Sequence, residues 1–150
     1  MRKLSVLLAM CALPLASASY AAGDLSRADP VEIAIEMGAL NPKVMYFKPD
    51  HFELETGKAY KIVFNNTDKV KHEFASPELV ARVFTRKVEV LGKNGEMIAE
   101  IKGNVTEIEV AGGGTVEWFI VPVQTGKDIP VECAIEGHKE AGMVGTVTIN

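Results

Sequence analysis

The chain has 150 residues, 47% of them hydrophobic and 24% charged, which suits one globular domain able to bury a core without disulfide staples. Its formal net charge is −4, so it lacks the basic surplus of a nucleic-acid-binding domain, and that class of partner is argued against.

The N-terminus reads as a leader. Arg2 and Lys3 precede an almost unbroken apolar run, Leu4 to Leu15, and small residues follow in Ala16-Ser17-Ala18-Ser19-Tyr20-Ala21-Ala22. A charged start, a short apolar run and small residues at positions −3 and −1 of a cleavage point after Ala18 or Ala21 make a secretory signal peptide. The run falls short of the roughly 20 residues that span a bilayer. We therefore expect residues 1–22 to be removed, residues 23–150 to form one periplasmic domain, and no stable membrane insertion after removal. Loss of Arg2 and Lys3 takes the net charge to about −6, and loss of Cys11 leaves Cys133 as the one cysteine. Exported proteins use cysteines mostly in pairs. A lone one is either an inert buried thiol or a metal ligand, and its neighbours decide which.

Residues 23–30 form a polar lead-in. Val31, Ile33, Ile35 and Met37 then alternate with Glu32, Ala34 and Glu36, the period of a half-buried strand. Short strands are expected at Val44 to Phe47 and Phe52 to Glu55, around a turn at Pro49-Asp50 that leaves His51 on the surface. Tyr60, Ile62 and Phe64 alternate with Lys61 and Val63, and Asn65-Asn66-Thr67-Asp68 closes that strand as a turn. Val70 to Phe74 resumes. Ser76-Pro77-Glu78 starts a helix, with a serine cap, proline at the first helical position and an acid in the first turn. Leu79, Val80, Val83 and Phe84 follow at helical spacing, which predicts a helix over 77–86 with Arg82, Arg86 and Lys87 on its solvated face. Further strands are expected at Met97 to Ile101, Val105 to Val110, Thr115 to Val121, Ile129 to Cys133 and Met143 to Ile149. Met45 and Met97 read as strand core, and Trp118 and Ile120 share one buried face. Gly112-Gly113-Gly114 lacks the Lys and Ser/Thr of a phosphate loop and reads as a turn. Many short strands with regular turns and one short helix indicate an all-β Greek-key sandwich.

The chemistry lies in Cys133-Ala134-Ile135-Glu136-Gly137-His138-Lys139-Glu140-Ala141-Gly142-Met143. A thiol, an imidazole and a thioether recur at intervals of five in one loop between two strands, and a second imidazole, His72, lies in a separate strand. Two imidazoles and a thiolate with a weak axial thioether are the donors of a blue-copper electron-transfer site. Cu(I) favours soft sulfur and Cu(II) favours nitrogen, so a mixed set accepts both without large rearrangement. Zinc would also accept one Cys and two His, but a thioether in fourth place favours copper. His72, Cys133, His138 and Met143 are thus the candidate ligands of one mononuclear copper.

Over roughly residues 31–150 the sequence resembles the cupredoxins, the small blue copper proteins that include plastocyanin, azurin and rusticyanin. Four residues separate Cys133 from His138 and four more separate His138 from Met143. That spacing is similar to rusticyanin-like and copper-tolerance cupredoxins, whereas plastocyanins have a shorter first gap. The resemblance implies His72 and His138 as equatorial nitrogens, Cys133 as equatorial thiolate, Met143 as axial ligand and His138 nearest the surface as the electron exit. Many members carry Asn or Ser directly after the first His, where it ties the ligand loops together. Glu73 occupies that position here, among the residues that tune a metal site. The stretch between Ser76 and Gly103 is also longer than in the smallest members. The expected function is a soluble, monomeric carrier of single electrons that docks transiently on redox partner proteins. The alternative is copper binding for tolerance or delivery, although the three histidines and the absence of a methionine cluster give it little support. An enzyme with further copper sites would need more histidines than His51, the one left over.

Overall fold

The computed structural model describes residue 25 and residues 28–150; the expected leader lies outside the described residues. In chain order the elements are β1 (Val31–Asn41), β2 (Val44–Lys48), β3 (His51–Leu54), β4 (Tyr60–Asn66), β5 (His72–Ala75), α1 (Pro77–Arg82), β6 (Val83–Leu91), β7 (Met97–Ile101), β8 (Glu107–Val110), β9 (Thr115–Pro122), β10 (Gly126–Glu132) and β11 (Val144–Ile149). They form two sheets, one ordered β2-β1-β4-β9-β6-β7 and the other β3-β11-β10-β5-β8. Both sheets are mixed, because β1 runs parallel to β4 and β3 parallel to β11. This is the Greek-key cupredoxin-like sandwich with one short helix that the sequence predicts. Among the described residues no helix is long and apolar enough to cross a membrane.

The core lies between the sheets and follows the pleat, which sends alternate side chains to opposite faces. Ile62 and Phe64 of β4 and Trp118 and Ile120 of β9 are buried from one side; Leu54, Phe74, Ile129, Val131, Val147 and Ile149 meet them from the other. Phe74 on β5 joins the layers. Its ring is tilted against Phe64 at 4.7 Å and meets Phe47 edge-on at 5.7 Å. Each such side chain contributes about 1.5–3 kcal/mol by burial, and each aromatic pair about 0.5–1.5 kcal/mol more. Both ligand-bearing segments border this layer, so the core that holds the sheets together also fixes the site.

The helix differs from the sequence expectation. It opens as predicted, with the Leu79 amide donating to Ser76 Oγ at 3.3 Å and Pro77 in its first turn, but it ends at Arg82 rather than at residue 86. Val83 to Leu91 instead pairs with β9 along its whole length. Val83, Thr85, Val88 and Val90 are β-branched and favour the pleat over the helix. Phe84, expected on the buried helix face, points outward at 60% exposure. Arg86 and Lys87 stand on a strand, where Lys87 pairs with Glu89 and Glu100 and lies 4.7 Å from the Phe119 ring centroid. Arg82 does end the helix, donating to Glu78 and to the Thr125 carbonyl. Met97 is 55% exposed on the edge strand β7, against the expectation of core, because that strand lies beyond the core and neither of its faces is covered enough to bury a residue. Met45 is half-buried and packs against the core.

Candidate metal centre

His72 opens β5, directly opposite Val110 on β8. The loop before it is held by Asn66, whose side-chain amide donates to the carbonyls of Val70 and Val110, both at 2.8 Å. The Asp68 amide donates back to Asn66 Oδ1 at 2.9 Å. The loop therefore delivers His72 into the sandwich, where its side chain is fully buried.

Cys133 follows the end of β10 and is 1% exposed. The loop from Cys133 to Met143 is closed at its mouth: the Cys133 amide donates to the Met143 carbonyl at 3.1 Å, and the Met143 amide to the His138 carbonyl at 3.0 Å. Inside it, the His138 amide donates to Ile135 and the Ala141 amide to Gly137, both at 3.1 Å. Gly137 and Gly142 sit at φ of 83° and 97°, left-handed conformations that side chains other than glycine rarely adopt. The Met45 amide donates to the Ala141 carbonyl at 2.9 Å and pins the loop to β2. Met143 is fully buried at the foot of β11.

These segments bring three donor atoms together. Nδ1 of His72 lies 3.2 Å from Nδ1 of His138, and Nδ1 of His138 lies 3.3 Å from Sγ of Cys133. All three ligand atoms fall within 4.8 Å of one another. His51 stands apart. It is exposed, opens β3 rather than sitting in a turn, and its Nδ1 contacts Thr146 Oγ1 at 2.8 Å.

The electrostatics follow from burial and neighbours. Burial pushes the Cys133 thiol up, against the amides of Glu73 and Ile135, which favour the thiolate. Burial, helped by His72, holds His138 below the usual imidazole range. The amide of Lys69, and secondarily His72, keep the Asp68 carboxyl below its usual range. The Glu73 side chain faces Glu109 across the β5–β8 ladder. Burial, Glu109 and Glu107 raise its carboxyl, while Lys71 lowers that of Glu109.

A metal ion fits this cluster. Three lone-pair donors facing one another in a dry pocket repel unless a proton or cation lies between them. The two imidazole nitrogens, 3.2 Å apart, are close enough for a single ion to be held by both. The donor chemistry, two imidazoles and a thiol with Met143 in the same loop, is of the copper type.

Two residues that the ligand spacing does not flag complete the surroundings. The Glu73 amide donates to Cys133 Sγ at 3.3 Å, so the backbone, rather than the side chain at that position, ties the two ligand segments together. Asp68 Oδ2 lies 3.2 Å from His72 Nε2. An acid four residues before a ligand histidine, in a turn, is the sequence signal for the second.

Neither a family model nor a curated protein matches the chain. Solved structures do. A multicopper oxidase from Campylobacter jejuni, described as a metallo-oxidase, is 15% identical with a TM-score of 0.60 over 81% of this chain and 30% of its own. A copper nitrite reductase from Nitrosomonas europaea is 10% identical with a TM-score of 0.61 over 80% of this chain and 49% of its own. A laccase from Pediococcus acidilactici is 17% identical with a TM-score of 0.60 over 99% of this chain and 32% of its own. This chain therefore spans between about a third and a half of the length of those proteins, and the likeness is one of fold. The chain is a small cupredoxin-like β-sandwich domain whose His72, Cys133 and His138 form a cluster of copper type.

Proposed function

We propose that the chain is a type 1 (blue) copper protein that carries single electrons between redox partners in the periplasm, with His72, Cys133, His138 and Met143 as ligands and the leader as its export signal. One observation carries this reading: two imidazole nitrogens and a thiol sulfur, delivered by two separate segments, converge within 4.8 Å. Copper bound there would supply a one-electron couple.

The protein's own contribution is to hold the donors still and dry. His72 and Met143 are fully buried and Cys133 nearly so, which excludes water. The closed mouth of the loop and its anchorage to β2 resist rearrangement between oxidation states. His138 is only half-buried, and Gly137, Ala141 and Gly142 leave the surface around it low. A partner can thus approach its ring edge while the other ligands stay covered. Such a carrier catalyses no step of its own and meets its partners as a monomer, in brief encounters. A net negative surface favours partners with basic patches.

Voltammetry of the copper-loaded mature chain is expected to give one reversible one-electron wave. Copper-loaded protein without such a wave would contradict the carrier role and favour copper storage or delivery.

A further inference from the structure

His72 turns only one ring nitrogen toward the cluster. The other, Nε2, lies 3.2 Å from Asp68 Oδ2. A carboxylate accepts hydrogen bonds and cannot donate them. Nε2 therefore carries the ring proton, and Nδ1 is left with its lone pair facing His138 and Cys133.

Asp68 is held for this contact. The amide of Lys69 donates to Asp68 Oδ1 at 2.6 Å, which leaves Oδ2 for His72. Asn66, itself buried, fastens the loop to β8 and receives the Asp68 amide. The turn after β8 packs straight onto the loop: a Cβ at Gly112 would come within 2.4 Å of the Lys69 carbonyl oxygen. The carboxylate is thus fixed on both sides, although it is partly open to solvent.

We propose that Asp68 is a positioning residue that fixes the tautomer and ring orientation of His72 and, through its negative charge, favours the oxidised over the reduced form of the metal held by the cluster. The charge effect rests on the reading of the cluster as a copper site; the tautomer effect does not. Carboxylate partners of ligand histidines raise ligand basicity and are commonly worth 10–100-fold in metal affinity. The more highly charged ion benefits more from a nearby anion, so loss of the charge costs Cu(II) more than Cu(I).

Two variants separate the parts. Asp68→Asn keeps the size and an acceptor oxygen but removes the charge; Asp68→Ala removes both. The first readout is nitrogen-15 NMR of the His72 ring in the metal-free protein. Wild type and Asp68→Asn are expected to hold the Nε2–H tautomer, and Asp68→Ala to populate both. The second is the reduction potential of the copper-loaded proteins. Asp68→Asn is expected to lose about tenfold in Cu(II) affinity relative to Cu(I), a rise of about 59 mV for a one-electron couple, with the thiolate-to-copper band retained. An unchanged tautomer in Asp68→Ala overturns the positioning role. An unchanged potential in Asp68→Asn overturns the charge effect. A wild-type protein without a thiolate-to-copper band sinks the copper reading instead, and the tautomer measurement still judges Asp68.

Discussion

The amide of Glu73 donates to the sulfur of Cys133 across 3.3 Å. This bond links the strand that carries one imidazole to the loop that carries the thiol and the other. It also bears on the state of the sulfur. An amide donor favours the thiolate and burial favours the thiol, and burial is the larger effect, so the thiol is pushed up. An ordinary cysteine titrates near about pH 8.5. Cys133 is therefore protonated across the neutral range, and a metal ion that takes its sulfur must displace that proton.

The sign of the resulting pH dependence is fixed. Below the thiol's raised pKa, each unit of pH removes a tenfold excess of competing proton, while His138, held low by burial, is already neutral through most of the range. Apparent metal affinity of the apo-protein is expected to rise about tenfold per pH unit between about pH 6 and 8. Competition against a chromophoric chelator at three pH values measures this. A flat profile would mean that the thiol is already ionised, or is not a ligand.

A second expectation concerns the scaffold. The Trp118 ring N–H donates to Thr85 Oγ1 at 3.1 Å between β9 and β6, deep in the core. Thr85→Val keeps the shape and removes the acceptor, leaving a buried N–H unpaired, which costs about 1–3 kcal/mol. Urea unfolding followed by the fluorescence of the single tryptophan reports it directly. A loss below about 0.5 kcal/mol would show that the ring finds another partner.

Much of this fold was legible where pairing leaves a clean period of two. Ile62 and Phe64, and Trp118 and Ile120, announce their strands and their buried faces. Strand β6 hid for a physical reason. Its register shifts between Thr85 and Lys87, so the inward residues Val83, Thr85 and Val88 are spaced by two and then three. With no sustained alternation to mark the strand, Val83 and the outward-facing Phe84 join Leu79 and Val80 in a spacing that imitates a helix. What settles the segment is its pairing with β9, roughly thirty residues later, a non-local contact that no local pattern encodes.

The cluster divides in the same way. Cys133 and His138 share one short loop, so their spacing carries the information, and His72 was reachable because few histidines compete for the role. The residues around them act through geometry instead. Glu73 contributes its backbone amide, which every non-proline residue has, and its side chain gives no hint of that role. Asp68 reaches His72 only because Asn66 and the turn at Gly112 fold the intervening loop back.

Every property proposed for this site depends on Cys133 binding copper as a thiolate together with His72 and His138. The visible absorption spectrum of purified residues 23–150 after addition of Cu(II), alongside Cys133→Ala, decides it. A strong thiolate-to-copper band is expected that bleaches reversibly with reductant and is absent from the variant. A colourless protein, or weak absorption unchanged by the substitution, would contradict it.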